Sequence, residues 1–256
     1  MEHLAGVLDR AREVGVRYLV CNGSCEEDWP AVLALARRYP QVVPCFGLHP
    51  WYVRERTANW REGLESFLDA VPSGVGEFGL DRWIKDPDET GQREVFLAQW
   101  EIARRRNRPA MIHCLHAWGP FLEILRSQDP LPAGMLIHAF TGPAELIPEL
   151  TAMNAYISFT GGVLGPRRRK GREALARVPI DRLMLETDAP DFLPPDPYCP
   201  YRLTDSEGKA RNEPANLPAI LRGVAELLGR PAEDLAEILW ANGRRFLGYL
   251  NGFSIE

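Results

Sequence analysis

Seven short apolar segments rich in β-branched residues alternate with longer amphipathic stretches along this 256-residue chain. No other feature constrains the fold as much. The strand candidates are 17–23 (RYLVCNG), 42–50 (VVPCFGLHP), 74–81 (GVGEFGLD) and 109–115 (PAMIHCL). They continue with 134–140 (GMLIHAF), 155–162 (AYISFTGG) and 183–190 (LMLETDAP). Between them, 92–107 puts Val95, Phe96, Gln99, Trp100 and Ala103 on one helical face. The stretch 27–39 opens on Glu27 and closes on Arg37 and Arg38, as a helix dipole favours. Near the C-terminus, 214–228 and 231–247 read as helices with a proline at each first turn. Strands alternating with helices imply βαβ units, a parallel sheet and right-handed crossovers. The predicted fold is a TIM-type (β/α) barrel spanning residues 1–256 as a single domain.

A closed barrel of this type takes about eight strands. The chain opens directly on a helical pattern, 3–14, so the strand missing from the count is the N-terminal one. The segment 194–211 is rich in proline and polar residues and reads as a long irregular loop of the kind that is usually functional or mobile. It follows the last strand, on the side where barrel sites form.

Composition narrows the function classes. With 45% hydrophobic and 25% charged residues, the chain has the balance of a soluble protein with a packed core. No apolar run approaches the roughly 20 residues that span a bilayer, so no membrane association is expected. The N-terminus lacks the basic and apolar regions of a signal peptide. The five cysteines (Cys21, Cys25, Cys45, Cys114 and Cys199) include no CxxC pair, which argues against a disulfide framework and fits a reducing cytoplasm. No obligate protein partner is evident. A net charge of −5 and a pI near 5.7 do not suit a protein that holds phosphates through a basic face. If this chain handles phosphate esters, bound metal must supply most of the positive charge.

The candidate chemical residues recur near the C-terminal ends of the strand segments: His49, Glu77 and Asp81, His113, His138 and Asp188. In a parallel barrel these ends converge on one face. Buried carboxylates are costly unless they are paired or coordinate a cation. A set of imidazoles and carboxylates with only one histidine per strand therefore points to a divalent ion such as Zn²⁺, Mn²⁺ or Mg²⁺. Each residue alone has a structural reading, as a buried ion pair, a core histidine or a turn cap. His49 is either a substrate contact or the residue that fixes the turn before Pro50. Trp51, Trp83 and Trp118 lie just beyond strand ends, where they stack on bases or pack over the barrel mouth. The run Arg167–Lys170 meets phosphates or opens a solvated helix. Asn212 and Asn216 either bind substrate or hold the preceding loop.

At these residues the sequence resembles the TatD family of metal-dependent hydrolases, within the amidohydrolase-like barrel superfamily. The resembling pieces are GLHP at 47–50, GEFGLD at 76–81, MIH at 111–113, HAFTG at 138–142, LETDAP at 185–190 and RNEPAN at 211–216. The resemblance implies metal-dependent phosphodiester hydrolysis, typically deoxyribonuclease activity on DNA, with one or two divalent ions. It implies that Glu77 bridges two metal sites and that His113 and His138 complete one of them. Asp188 would serve the other and orient or deprotonate the attacking water, so Glu77 and Asp188 are the catalytic candidates. Two ions about 3.5–4 Å apart clamp the attacking and leaving oxygens of such a displacement.

Family members usually begin with a strand ending in His-x-His, and this chain shows none; His3 has no partner histidine. Either the start codon is set too far downstream, or this is a short form with one metal site or none. An in-frame His-x-His upstream of Met1 supports the first reading, and a nearby in-frame stop sinks it. The expectation for the 256-residue chain is weak or absent nuclease activity, which robust Mg²⁺-dependent cleavage would overturn. The alternatives are an amide or ester hydrolase of the same superfamily and a non-catalytic degenerate barrel. Many amide hydrolases of the superfamily bridge their metals with a carboxylated lysine, whereas Glu77 stands at that position here.

Overall fold

The computed structural model describes residues 2–248 and residue 250, with the side chains of Glu2 and His3 outside the description. The His3 candidate therefore lies outside the described side chains. The chain opens with α1 (Glu2–Glu13), β1 (Leu19–Gly23), α2 (Trp29–Arg38), β2 (Val42–Phe46), α3 (Trp60–Ala70) and β3 (Gly74–Asp81). It continues through α4 (Glu89–Arg105), β4 (Ala110–Leu115), α5 (Trp118–Ser127), β5 (Met135–Ile137), α6 (Ile147–Ala152) and β6 (Ala155–Thr160). It then forms α7 (Arg169–Arg177), β7 (Leu183–Glu186), β8 (Leu203–Thr204), β9 (Ala210–Arg211), α8 (Leu217–Leu228) and α9 (Ala232–Leu247). All seven expected strands are present, and β1 to β7 neighbour one another in sequence order. Among the described residues, no strand precedes α1. No helix of the described residues is long and apolar enough to cross a membrane.

The residues group into two compact units. One is built mainly from Val20–His138 and Glu149–Tyr156. Within it, β2, β3, β4 and β5 pair in parallel, each with the next. Every residue of β2 is buried, as expected of a parallel strand covered on both faces. The core gathers Val43, Phe46, Val75, Phe78, Phe96, Ile112, Phe121 and Ile124, each fully out of solvent. The buried face of α4 holds Gln92, Val95, Phe96, Gln99, Trp100 and Ala103, the helical stripe legible in the sequence plus one turn. The helix starts earlier than residue 92 because Asp88 caps it, its side chain accepting from the Gly91 amide at 2.9 Å.

The other unit runs through the N-terminal segment to Leu19, Ala139–Pro148 and Ile157–Gly243. Its strands β6 and β7 pair in parallel, with Ser158 opposite Met184 and Thr160 opposite Glu186. The α1 residue Arg10 forks onto buried Glu213 with two bonds of 2.8 Å. Asn242 on α9 donates to the carbonyls of Ile180 and Leu183, fixing the entry to β7. The αL residue Gly229, at φ 63, ends α8.

Three sequence readings change. The helix expected at 27–39 begins at Trp29, so Glu27 falls outside it and its first turn carries no acid. The side chain of Asp28 instead folds back onto the amides of Ser24 and Cys25. The segment 194–211 is not wholly irregular. It contains a 3-10 turn at Asp196–Tyr198 and the antiparallel hairpin β8–β9, whose turn is closed by Asp205 accepting from the Glu207 and Lys209 amides. Finally, β2, β5 and β7 end sooner than the apolar runs suggested. Pro50 and Pro190 offer no amide to a ladder, and Ala139 turns the chain at φ 41. His49, His138 and Asp188 consequently sit just beyond their strands.

Candidate metal centre

The centre is set by how β3 and β4 lie side by side. Their register slips by one residue between Val75 and Phe78, a bulge that re-aims Glu77. Gly76 within it has φ 143, and a Cβ there would lie 2.6 Å from the Met111 carbonyl oxygen, so no other residue fits. From the bulge onward Glu77, Gly79 and Asp81 alternate onto one face, and Gly79 is directly opposite His113. A glycine between two carboxylates leaves the His113 ring room to reach both. Its Nδ1 lies 3.0 Å from Glu77 Oε1, and its Nε2 lies 2.9 Å from Asp81 Oδ2.

Two further imidazoles face the same oxygen. His138 follows β5, where its amide bonds to the Ile112 carbonyl, and its Nε2 lies 3.9 Å from Glu77 Oε1. His49 follows β2, and its Nε2 lies 3.7 Å from that oxygen. The rings of His49 and His113 meet edge to face, with centroids 4.5 Å apart. One carboxylate oxygen thus has three imidazoles within 4 Å. Ligand atoms of His49, Glu77 and His113 all fall within 4.8 Å of one another, close enough to share an ion. A buried set of imidazole and carboxylate donors suits a borderline or hard divalent cation.

The position of His49 has a second origin. Its Nδ1 accepts from the Trp51 amide at 3.3 Å, at the start of a 3-10 turn over Pro50–Tyr52. Just before it, buried Gln99 on α4 clamps the backbone of Leu48, its Oε1 accepting from the amide at 2.8 Å and its Nε2 donating to the carbonyl at 3.1 Å. Buried Gln92, two turns earlier on α4, clamps Asp81 the same way at 2.9 Å and 2.9 Å. One helix face therefore locks the backbone of two residues beside the centre. An acceptor role for Nδ1 puts the proton of neutral His49 on Nε2, towards Glu77. Distance alone admits His49 as a ligand, but this tautomer makes it a hydrogen-bond donor, and we favour the latter.

Asp81 is fully buried and fully bonded. Besides His113, it accepts from the Trp51 indole at 2.8 Å and from the Trp83 amide at 2.6 Å. Sequence reading noted Asp81 on its strand without giving it a role.

The electrostatics follow from this packing. Burial alone would raise the Glu77 carboxyl, but His138, the hydrogen bond with His113 and His49 reverse the effect and hold it well below the usual carboxylate range. Burial also works against ionised Asp81, yet its bonds to His113, Trp51 and Trp83 bring it down to about 2. Desolvation lowers His49 to about 4, although the Glu77 charge opposes this. His113 is raised: burial favours its neutral form, and the bonds to Asp81 and Glu77 outweigh that. The packing thus favours two ionised carboxylates, and the bonds to Asp81 and Glu77 favour a protonated His113 ring. An ion entering beside Glu77 would displace the His113 Nδ1 proton while Asp81 kept the other ring nitrogen in place.

Asp188 belongs to the other unit, two residues past β7 and with φ 53. Its surroundings there are firmly built. Buried Asn212 donates to the carbonyls of Thr187 and Phe192, and Asn216 donates to Asn212 and to Tyr201. Both asparagines thus hold the loop with their amides. The neighbouring Glu186, which sequence reading passed over, accepts from the Ala139 amide at 2.7 Å and from the Ser158 hydroxyl at 2.8 Å. Arg167–Lys170 is an exposed entry to α7. The Arg104–Arg106 cluster pairs with Glu101, Glu65 and Asp69 at the end of α4.

Alternating strands and helices carrying a carboxylate ringed by imidazoles define the class, an α/β metal-dependent hydrolase. A family model described as TatD related DNase matches residues 1–248, and the chain belongs to that family. It is 36% identical over 251 residues to the 3'-5' ssDNA/RNA exonuclease TatD of Shigella flexneri, covering 94% of this chain and 92% of that protein. It is 32% identical over 246 residues to the uncharacterized metal-dependent hydrolase YabD of Bacillus subtilis, covering 94% and 91%. The crystal structure of YjjV, a TatD homolog from Escherichia coli, superposes with a TM-score of 0.85 at 27% identity, covering 96% of this chain and 92% of that one. The TIM-type α/β fold expected from the sequence is the fold of these relatives.

Proposed function

We propose that this chain is a divalent-metal-dependent phosphodiesterase acting on single-stranded DNA or RNA, with Glu77, His113 and His138 holding an ion. The observation that carries the reading is the single oxygen Glu77 Oε1, approached by His113 at 3.0 Å, His49 at 3.7 Å and His138 at 3.9 Å. The bound ion, Mg²⁺, Mn²⁺ or Zn²⁺, supplies charge neutralisation at the phosphate and acidifies water near it. It also explains how a chain of net charge −5 handles a polyanion. Glu77 stays ionised at neutral pH and accepts the ion's charge. Asp81 keeps the His113 ring turned so that Nδ1 faces Glu77. His49 presents Nε2–H, a donor suited to a phosphate oxygen of the substrate. The family pattern gives Asp188 the task of orienting or deprotonating the attacking water, and a second ion would be served by the same residue. The five free cysteines fit a cytoplasmic setting.

The test is metal content per chain after loading with Mn²⁺ or Zn²⁺ and desalting, for wild type and Glu77→Ala, followed by digestion of a 5'-labelled single-stranded oligonucleotide. Retained metal that Glu77→Ala loses, with a ladder shortening from the 3' end, supports the reading. Metal held equally by the variant would overturn the ligand assignment. No cleavage by the loaded wild type would overturn the activity.

A further inference from the structure

We propose that Trp83, stacked on His116, is a platform for a nucleobase of the single strand beside the metal centre, with Trp51 as its neighbour. The proposal rests on the phosphodiesterase reading and adds the part of the substrate that reading leaves unplaced. Trp83 is the most exposed of the large hydrophobic residues described, at 69%. Its ring lies on His116 with centroids 5.4 Å apart and planes 18° from parallel. The indole is therefore backed by an imidazole while most of its surface is left to solvent. An aromatic pair open on one side is what a base needs to extend the stack, whatever its identity.

Its placement connects it to the chemistry. The Trp83 amide donates to Asp81 Oδ1 at 2.6 Å, and Asp81 Oδ2 meets His113 Nε2 at 2.9 Å. The Trp51 indole donates to the same Oδ2 at 2.8 Å while its ring stands edge-on to His49, with centroids 5.2 Å apart. Trp51 is 51% exposed. Asp81 thus anchors the Trp51 indole, the Trp83 backbone and one site imidazole through one carboxylate, while the Trp83 ring itself is set by His116. Burying such rings in a core would be the ordinary use of tryptophan, and here the fold fixes them in place while leaving them wet. Exposed Lys85 lies two residues beyond Trp83, while neighbouring Arg82 is paired with Glu89 at 2.7 Å. With a net charge of −5 the attraction for phosphates falls to the bound ion, and stacking adds a sequence-tolerant source of affinity.

The experiment compares a single-stranded oligodeoxynucleotide with an abasic strand of the same length. Wild type, Trp83→Ala, Trp83→Phe and His116→Ala are assayed for cleavage with Mn²⁺ and for binding by fluorescence anisotropy in EDTA. Wild type is expected to prefer the base-bearing strand. Trp83→Ala should cut that preference about 10-fold in both binding and kcat/KM, His116→Ala by less, and Trp83→Phe should retain most of it. A preference unchanged in Trp83→Ala overturns the platform, as does an equal loss on both strands, which would mean that Trp83 acts only through Asp81. If the wild type cleaves neither strand but still binds bases through Trp83, the phosphodiesterase reading fails and the platform stands.

Discussion

Gly79 and His113 are register partners across β3 and β4, and they touch so closely that a Cβ on Gly79 would lie 1.8 Å from the His113 carbonyl oxygen. The absent side chain both lets the strands meet and leaves the slot in which the His113 ring spans Glu77 and Asp81. Gly79→Ala must push the strands apart, since the obstructing atom is backbone. We expect a loss of about 1–3 kcal/mol in urea unfolding together with weakened metal retention. A variant of wild-type stability would show that the strands separate freely here.

Asp81→Asn isolates the orienting role. Asparagine keeps the volume but has a single acceptor oxygen, so it keeps the bond from the Trp83 amide at the cost of the bond from the Trp51 indole, and it no longer holds His113 with a charge. Partners of this kind are worth about 10–100-fold in metal affinity. Calorimetric titration with Zn²⁺ or Mn²⁺ should show a drop of that order, alongside an unfolding cost of about 1–3 kcal/mol for the indole donor left unpaired. Equal affinity in the variant would remove Asp81 from the positioning of His113.

The glutamine clamps on α4 give a third test. Truncating Gln92 or Gln99 strands a buried backbone amide and carbonyl, at Asp81 or Leu48, with nothing to bond. Each alanine variant should cost about 1–3 kcal/mol or more, the desolvation of groups left unpaired. Exposed Glu94 on the same helix is the control, and its alanine variant should fall within about 0.5 kcal/mol of wild type. Costs no larger than this control would mean that water replaces the amides.

The contrast between Gln92 and Glu77 shows what sequence could and could not reveal. Glu77, His113 and His138, whose ligand atoms gather round one carboxylate oxygen, were legible as costly polar residues in or just past apolar runs, and Asp188 carries the same signal in the other unit. Gln92 fits the helical stripe but was not singled out, and Gln99 looked like an ordinary member of it, because their partners are backbone groups at Asp81 and Leu48, remote in sequence. Asp81 was visible on its strand, but its role depends on the Gly79–His113 register, which the bulge at 76–77 shifts by one. His49 looked like a turn residue or a substrate contact. The structure shows the turn role directly, and the Trp51 amide adds the tautomer that motivates the other. The hairpin β8–β9 escaped notice because strands of two residues carry no periodicity, although the Asp205–Gly208 turn residues were there to read.

A pH test can be made away from the centre, where Glu65 on α3 receives Arg106 and Arg105 from the end of α4 at 2.7 Å and 2.9 Å. The hydrogen bond from Arg106, then that from Arg105, hold the Glu65 carboxyl below its ordinary 4.5. A carboxylate depressed in the folded state contributes stability that is complete above its unfolded value and disappears as pH falls through the folded one. The contribution should therefore be present at pH 7 and shrink from about pH 4.5 downward. The partners are partly exposed, so screening limits it to about 0.5–1 kcal/mol. Urea unfolding of wild type and Glu65→Gln should differ by that amount at pH 7, differ less at pH 3, and differ less again at pH 7 in 1 M salt. Asp69 shares Arg106 with Glu65, so both proteins carry Asp69→Asn, and the remaining acids titrate alike and cancel. A difference that persists unchanged at pH 3 would assign the cost of Glu65→Gln to packing against α4 instead of to charge.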